Sequence, residues 1–167
     1  MGIHAHRDKG IKSVTFAIIT VSSSRSIAED ESGNWIASAV TRFNHDVVSR
    51  VLVNDEATKI EEKVRSVISS YSPSVLILTG GTGITSTDVT IEALRPMFSK
   101  ELTAFSALFT QLSYAQIGTG ALLSRACAGL IKTTVTFCLP GSLAACQLAM
   151  EDLILPEIGH LVSHAQQ

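Results

Sequence analysis

Three strand-like apolar runs alternate with amphipathic stretches, and this alternation limits the chain to few folds. "VTFAIITV" (residues 14–21) is an almost unbroken β-branched run. Strands buried on both faces of a parallel sheet read this way. "DVVSRVLVN" (46–54) and "SVLILT" (74–79) repeat the theme. Between the first two, a helix is expected from near Gly33, with Trp35, Ile36, Ala39, Val40 and Phe43 on one face. Between the second and third, "ATKIEEKVRSVISSY" places Ile60, Val64, Val67, Ile68 and Tyr71 together, and Thr58 with Glu61 fits a capping box. The pattern β-α-β-α-β predicts an α/β fold: three αβα layers around a doubly wound, mostly parallel sheet, in a single domain.

Beyond Leu94 the chain reads as mostly helical. "LTAFSALFTQLSYAQ" and "GALLSRACAGLI" are both expected as helices, and "TTVTFCLPGS" as one more buried strand with a sharp stop. "LAACQLAMEDLI" and "PEIGHLVSHA" follow as helices parted at Pro156. Residues 1–12 read as a flexible N-terminal lead, and residues 13–167 as the domain.

Composition narrows the function. Of 167 residues, 17% are charged, against about 25% in an ordinary soluble domain. So low a charge suggests surface covered by other copies of the chain. The net charge of -2 offers no basic field for nucleic acid. No run approaches the roughly 20 apolar residues of a membrane span, and no secretory signal is expected. Three cysteines, Cys127, Cys138 and Cys146, lie without C-x-x-C spacing among small or apolar residues. They read as buried thiols in a reducing, cytoplasmic setting.

In open α/β sheets ligands bind outside the carboxyl ends of the strands. The first strand leads to Ser22, Ser23, Ser24 and Arg25; the second to Asp55 and Glu56; the third to Gly80, Gly81, Thr82 and Gly83; the late strand to Pro140, Gly141 and Ser142. Glycines let backbone N–H groups approach an anion, and helix N-termini add donors. These loops can therefore cradle phosphate. Asp88 and Asp55 can hold a divalent cation, since Mg²⁺ takes one or two carboxylates plus substrate phosphates. Asp88 and Ser142 also stand where helix N-caps would. There is no P-loop, no dinucleotide fingerprint and no nucleophile elbow. His160 and His164, at i, i+4 spacing, fit either a metal pair or a solvated face, the latter favoured because no third ligand is evident.

Four motifs in order carry a resemblance: "TGGTG" with "DVT" beyond it (79–83 and 88–90), "KEL" (100–102), "LSRACAG" (123–129) and "LPGS" (139–142). The chain resembles the molybdenum cofactor biosynthesis proteins of the MoaB/MogA type, also found as gephyrin's G domain, over about residues 15–160. "VSSSRS" and the short C-terminal end look closer to MoaB. The resemblance implies a trimer, or a hexamer of two trimers. It implies molybdopterin and ATP as substrates, Mg²⁺ as cofactor, AMP transfer to the molybdopterin phosphate, and delivery to a molybdate-inserting partner. It points to Asp55 and Asp88 as catalytic acids and adds Ser124 and Arg125 to the binding residues. Two departures stand out: Ser23 occupies a position where active relatives commonly carry Asp, and Asn54 precedes Asp55 where they carry Pro. Two other readings are a non-catalytic carrier of molybdopterin or its precursor, and a gephyrin-like scaffold, disfavoured for want of an attached domain.

Overall fold

The computed structural model describes residues 13–24 and 26–167; the expected N-terminal lead and Arg25 lie outside the described residues. Among the described residues six strands form: β1 (Thr15–Val21), β2 (Asp46–Val53), β3 (Val75–Thr79), β4 (Lys100–Glu101), β5 (Cys127–Ile131) and β6 (Thr134–Leu139). They lie in one sheet in the order β2-β1-β3-β6-β5-β4. β1 pairs in parallel with both β2 and β3, and β3 with β6. β5 and β4 extend the sheet antiparallel. The expected αβα architecture is the one observed.

The helices are α1 (Glu31–Arg42), α2 (Ala57–Tyr71), α3 (Thr90–Leu94), α4 (Thr103–Ile117), α5 (Leu143–Leu148) and α6 (Ile158–Ala165). A π-helical stretch, Ala149–Ile154, continues α5. Strand side chains alternate between two cores. Phe16, Ile18, Val75, Ile77, Val135 and Phe137 pack with α1, α4, α5 and α6. Ala17, Ile19, Leu76, Leu78 and Cys138 pack with α2 and α3. Each large apolar side chain buried this way contributes about 1.5–3 kcal/mol, so residues apolar on both faces are held centrally.

Several expectations need correction. "GALLSRACAGLI" is not a helix: residues 118–123 form 3₁₀ turns and residues 127–131 are β5. Tertiary packing decides this, because a Cβ on Gly129 would stand 2.5 Å from the Phe98 ring and 2.7 Å from the Lys100 carbonyl oxygen. "KEL" likewise begins with a short strand, β4. α1 starts at Glu31, ahead of Gly33, because Asp30 caps it through Gly33 N. α2 starts at Ala57 with Glu56 at the N-cap, so Thr58 is already helical and forms no capping box with Glu61. Phe43 and Tyr71, assigned to apolar faces, are largely exposed at the ends of their helices. All three cysteines are buried thiols, as read.

Candidate functional site at the carboxyl ends of the parallel strands

The chain leaves β1 toward β2 on one side, while β3 lies on the other. The crevice of a doubly wound sheet therefore opens between the loops after β1 and β3. The glycine-rich loop follows β3. Gly80 (φ 102°) and Gly81 (φ 62°) adopt left-handed backbone. A Cβ on Gly80 would sit 2.4 Å from the Val21 carbonyl oxygen, and one on Gly81 2.4 Å from Thr90 Oγ1. These positions thus require glycine both for conformation and for close approach.

Hydrogen bonds tie the loop to its neighbours. Gly80 N donates to Leu139 O at 3.0 Å and Thr90 N to Gly81 O at 2.9 Å. Thr90 Oγ1 donates to Gly80 O at 2.8 Å, and Arg125 Nε to Thr82 O at 2.9 Å. Glu92 holds the Arg125 guanidinium through both carboxylate oxygens, at 2.8 and 3.3 Å. Arg125 therefore reaches the loop as a brace, its charge already paired. The pairing with Glu92 is also what raises the Arg125 pKa.

Asp88 does not cap α3; Val89 occupies that position. Instead its Oδ2 accepts from Thr85 N at 2.9 Å and Thr85 Oγ1 at 2.6 Å, closing the 85–88 turn. The Thr85 hydroxyl holds the Asp88 carboxyl below its usual range, with the Thr85 and Gly83 amides and the Arg125 charge adding to it against partial burial. Asp88 is therefore a half-buried anion beside Gly83, where a Cβ would meet Oδ2 at 2.6 Å. With Gly80 N and Gly83 N engaged, Gly81 and Thr82 supply the loop's remaining backbone donors.

The other loops join this one. Thr79 Oγ1 donates to Pro140 O at 2.9 Å. A Cβ on Gly141 would lie 3.2 Å from Gly80 Cα. Ser32 Oγ donates to Gly141 O at 3.0 Å, and Ser142 caps α5 through Ala145 N. Asp55 N donates to Ser23 Oγ at 3.4 Å, Ser22 N to Val53 O at 2.9 Å, and Ser24 N to Ser22 Oγ at 3.3 Å. Thus Ser22, Ser24, Asp55, Gly80, Gly81, Thr82, Gly83, Asp88, Arg125, Pro140, Gly141 and Ser142 border one continuous rim. Ser124 precedes Arg125, and its own amide donates to Ala121 O at 3.0 Å. A cavity of about 430 Å³ opens there between Glu29, Glu31, Ser32, Gly141, Ser142 and Leu143.

Sequence reasoning missed the anchor beneath this rim. Asp30, fully buried, accepts from Thr20 Oγ1 at 2.6 Å, Gly33 N at 2.9 Å and Arg50 Nη2 at 3.0 Å. Burial pushes its pKa up, but the bonds from Thr20, Gly33 and Arg50 outweigh this and the net shift is downward. A threonine inside an apolar strand and an Asp three residues before a helical Gly were the available signals.

The sequence matches the family described as "Probable molybdopterin binding domain" over residues 17–160. The chain belongs to this molybdenum cofactor biosynthesis family, of the MoaB/MogA type. It is 39% identical to Molybdenum cofactor biosynthesis protein B of Bacillus subtilis (strain 168), covering 97% of this chain and 96% of that protein. A crystal structure of a Molybdenum cofactor biosynthesis protein B superposes with a TM-score of 0.90 at 39% identity, over 93% of this chain and 97% of the other. The tungsten cofactor synthesizing protein MoaB from Pyrococcus furiosus gives 0.85 at 35%, over 94% and 99%. Among the described residues, no helix of this MoaB/MogA-family chain is long and apolar enough to cross a membrane.

Proposed function

We propose that the chain binds molybdopterin and adenylylates it with Mg-ATP, releasing pyrophosphate, in the cytoplasm. The observation that carries this reading is the union of the glycine loop at 80–83, the Asp88 carboxylate and the Gly141 turn at one strand-end rim. An oxygen of the molybdopterin phosphate attacks the α-phosphorus of ATP, a new P–O bond forms, and the bond to pyrophosphate breaks. Two anions must meet, so catalysis is chiefly positioning and charge neutralisation.

Gly81 and Thr82 backbone donors hold phosphate oxygens, assisted by the Ser22 and Ser24 hydroxyls and by Arg25. Arg125 keeps the loop in place from Thr82, with Ser124 beside it. Ser142, Gly141 and Pro140 shape the neighbouring turn. The donor set suits Mg²⁺: Asp55 and Asp88 offer hard carboxylate oxygens, and one or two suffice alongside substrate phosphates. Among the described residues no group of three or more His, Cys, Asp or Glu side chains is placed to hold a metal ion. When bound, the ion offsets triphosphate charge. Glu29 and Glu31, at the cavity mouth, offer acceptors to the donor edge of a pterin ring.

Oligomerisation belongs to the same reading. Leu108, Tyr114 and Ile117 on α4, with Leu122 and Leu123 just beyond, are large apolar side chains left exposed. Such a patch is a surface for other copies of the chain, as a trimer or hexamer. The product then passes to a molybdate-inserting protein.

A second reading, a carrier that binds molybdopterin without turnover, is favoured by Ser23, which stands where active relatives commonly carry Asp. An assay with Mg²⁺, ATP and authentic molybdopterin separates the two. Pyrophosphate release dependent on molybdopterin supports the enzyme; binding without release supports the carrier.

A further inference from the structure

Two imidazoles on α6 take no part in the rim. His160 and His164 stand one helical turn apart, and their Nε2 atoms lie 2.9 Å from each other. The rings are 4.6 Å apart between centroids, with planes at 67°. Both therefore turn the same nitrogen toward one point. His160 is half-buried and His164 exposed, so that point is reachable from solvent. The carboxylate of Glu157 stands 3.6 Å from Nδ1 of His160. A negative charge there favours the tautomer protonated on Nδ1, which leaves the Nε2 lone pair of His160 facing His164. His164 then donates Nε2–H to it. If His164 moves its proton to Nδ1, both Nε2 lone pairs converge without any change of charge.

The separation selects a kind of ion. With metal–nitrogen bonds of about 2.0 Å, ligands at a right angle stand about 2.8 Å apart and tetrahedral ligands about 3.3 Å apart. The observed 2.9 Å fits the right-angled pair. We propose that His160 and His164 form a two-nitrogen chelate for a divalent ion of tetragonal preference, Cu²⁺ or Ni²⁺, with Glu157 positioning His160. The site is independent of the adenylyl-transfer reading. Two protein donors leave the other positions to water, so the ion exchanges freely and closes the last turns of the helix while bound.

The test uses the full chain with His4→Ala and His6→Ala, which removes the N-terminal imidazoles from competition. Titration with Cu²⁺ alone is followed by calorimetry, thermal unfolding and electron paramagnetic resonance. We expect one exchangeable Cu²⁺ per chain, a raised melting temperature, and a tetragonal spectrum with coupling from two nitrogens. His160→Ala and His164→Ala each weaken binding at least tenfold and leave one coupled nitrogen, and Glu157→Gln weakens it about tenfold. These side chains are partly or fully exposed, and an unchanged circular dichroism spectrum confirms that each variant folds. Equal Cu²⁺ affinity in the double variant His160→Ala, His164→Ala overturns the proposal, as does a parent spectrum without two coupled nitrogens.

Discussion

The Thr20 hydroxyl, inside the buried strand β1, donates to Oδ2 of Asp30 at 2.6 Å. This bond joins the central strand to the cap of α1. From that cap, Ser32 reaches across to the Gly141 carbonyl. The wall of the cavity at the rim is thus built on one buried carboxylate.

Removing that carboxylate leaves Arg50, Thr20 and Gly33 N without their shared acceptor. Asp30→Ala should cost about 3 kcal/mol, the low end for breaking a buried ion pair, because the Arg50 side chain retains some solvent contact. Urea unfolding at neutral pH measures it; a loss below 1 kcal/mol would mean that the pair is dispensable.

The same group fixes a pH dependence. The Asp30 pKa is lowered in the fold from its ordinary 3.8. The unfolded chain therefore takes up the proton first as pH falls. The stabilisation is complete above pH 3.8 and is lost as pH drops through the lower folded value. Wild type should lose more stability than Asp30→Asn between pH 5 and pH 2, with unfolding free energy as the readout.

Glycine positions should separate sharply. Gly80→Ala meets the Val21 backbone at 2.4 Å with φ 102°, whereas Gly141→Ala meets Gly80 Cα at 3.2 Å and Gly80 N at 3.8 Å. Gly80→Ala should cost about 3 kcal/mol or more, from left-handed strain plus a backbone clash. Gly141→Ala should cost about 1 kcal/mol or less. Thermal melts of both variants check the order.

The alternation of strands and helices was legible because period and apolar content agree over residues 14–79. The antiparallel edge was not. "ACAGLI" has small residues that suit a helix, and only the approach of Phe98 to Gly129 shows why it must be extended. The rim was legible from the glycines and Asp88, since strand ends of a parallel sheet must converge. Its supports were not: Thr90, Glu92 and Asp30 lie within or beside helical patterns, where a polar residue reads as capping or solvated. Asp88 shows the reverse, a residue expected as a possible cap that instead closes its own turn through Thr85.

Exposed Leu122 and Leu123 provide a test of assembly, at 83% and 60% exposure. Light scattering at micromolar concentration should give the mass of three or six copies. Leu122→Glu with Leu123→Glu should shift this toward the single chain. A monomeric wild type would contradict the interface.

The central claim is that the Asp88 carboxylate serves the reaction at the rim. The direct measurement is molybdopterin-dependent pyrophosphate release from Mg-ATP by wild type and Asp88→Ala, beside urea unfolding of both. The account predicts turnover in wild type and its loss in Asp88→Ala, with stability reduced by only about 1 kcal/mol for the lost turn bonds. Undiminished turnover in a folded Asp88→Ala protein would contradict it.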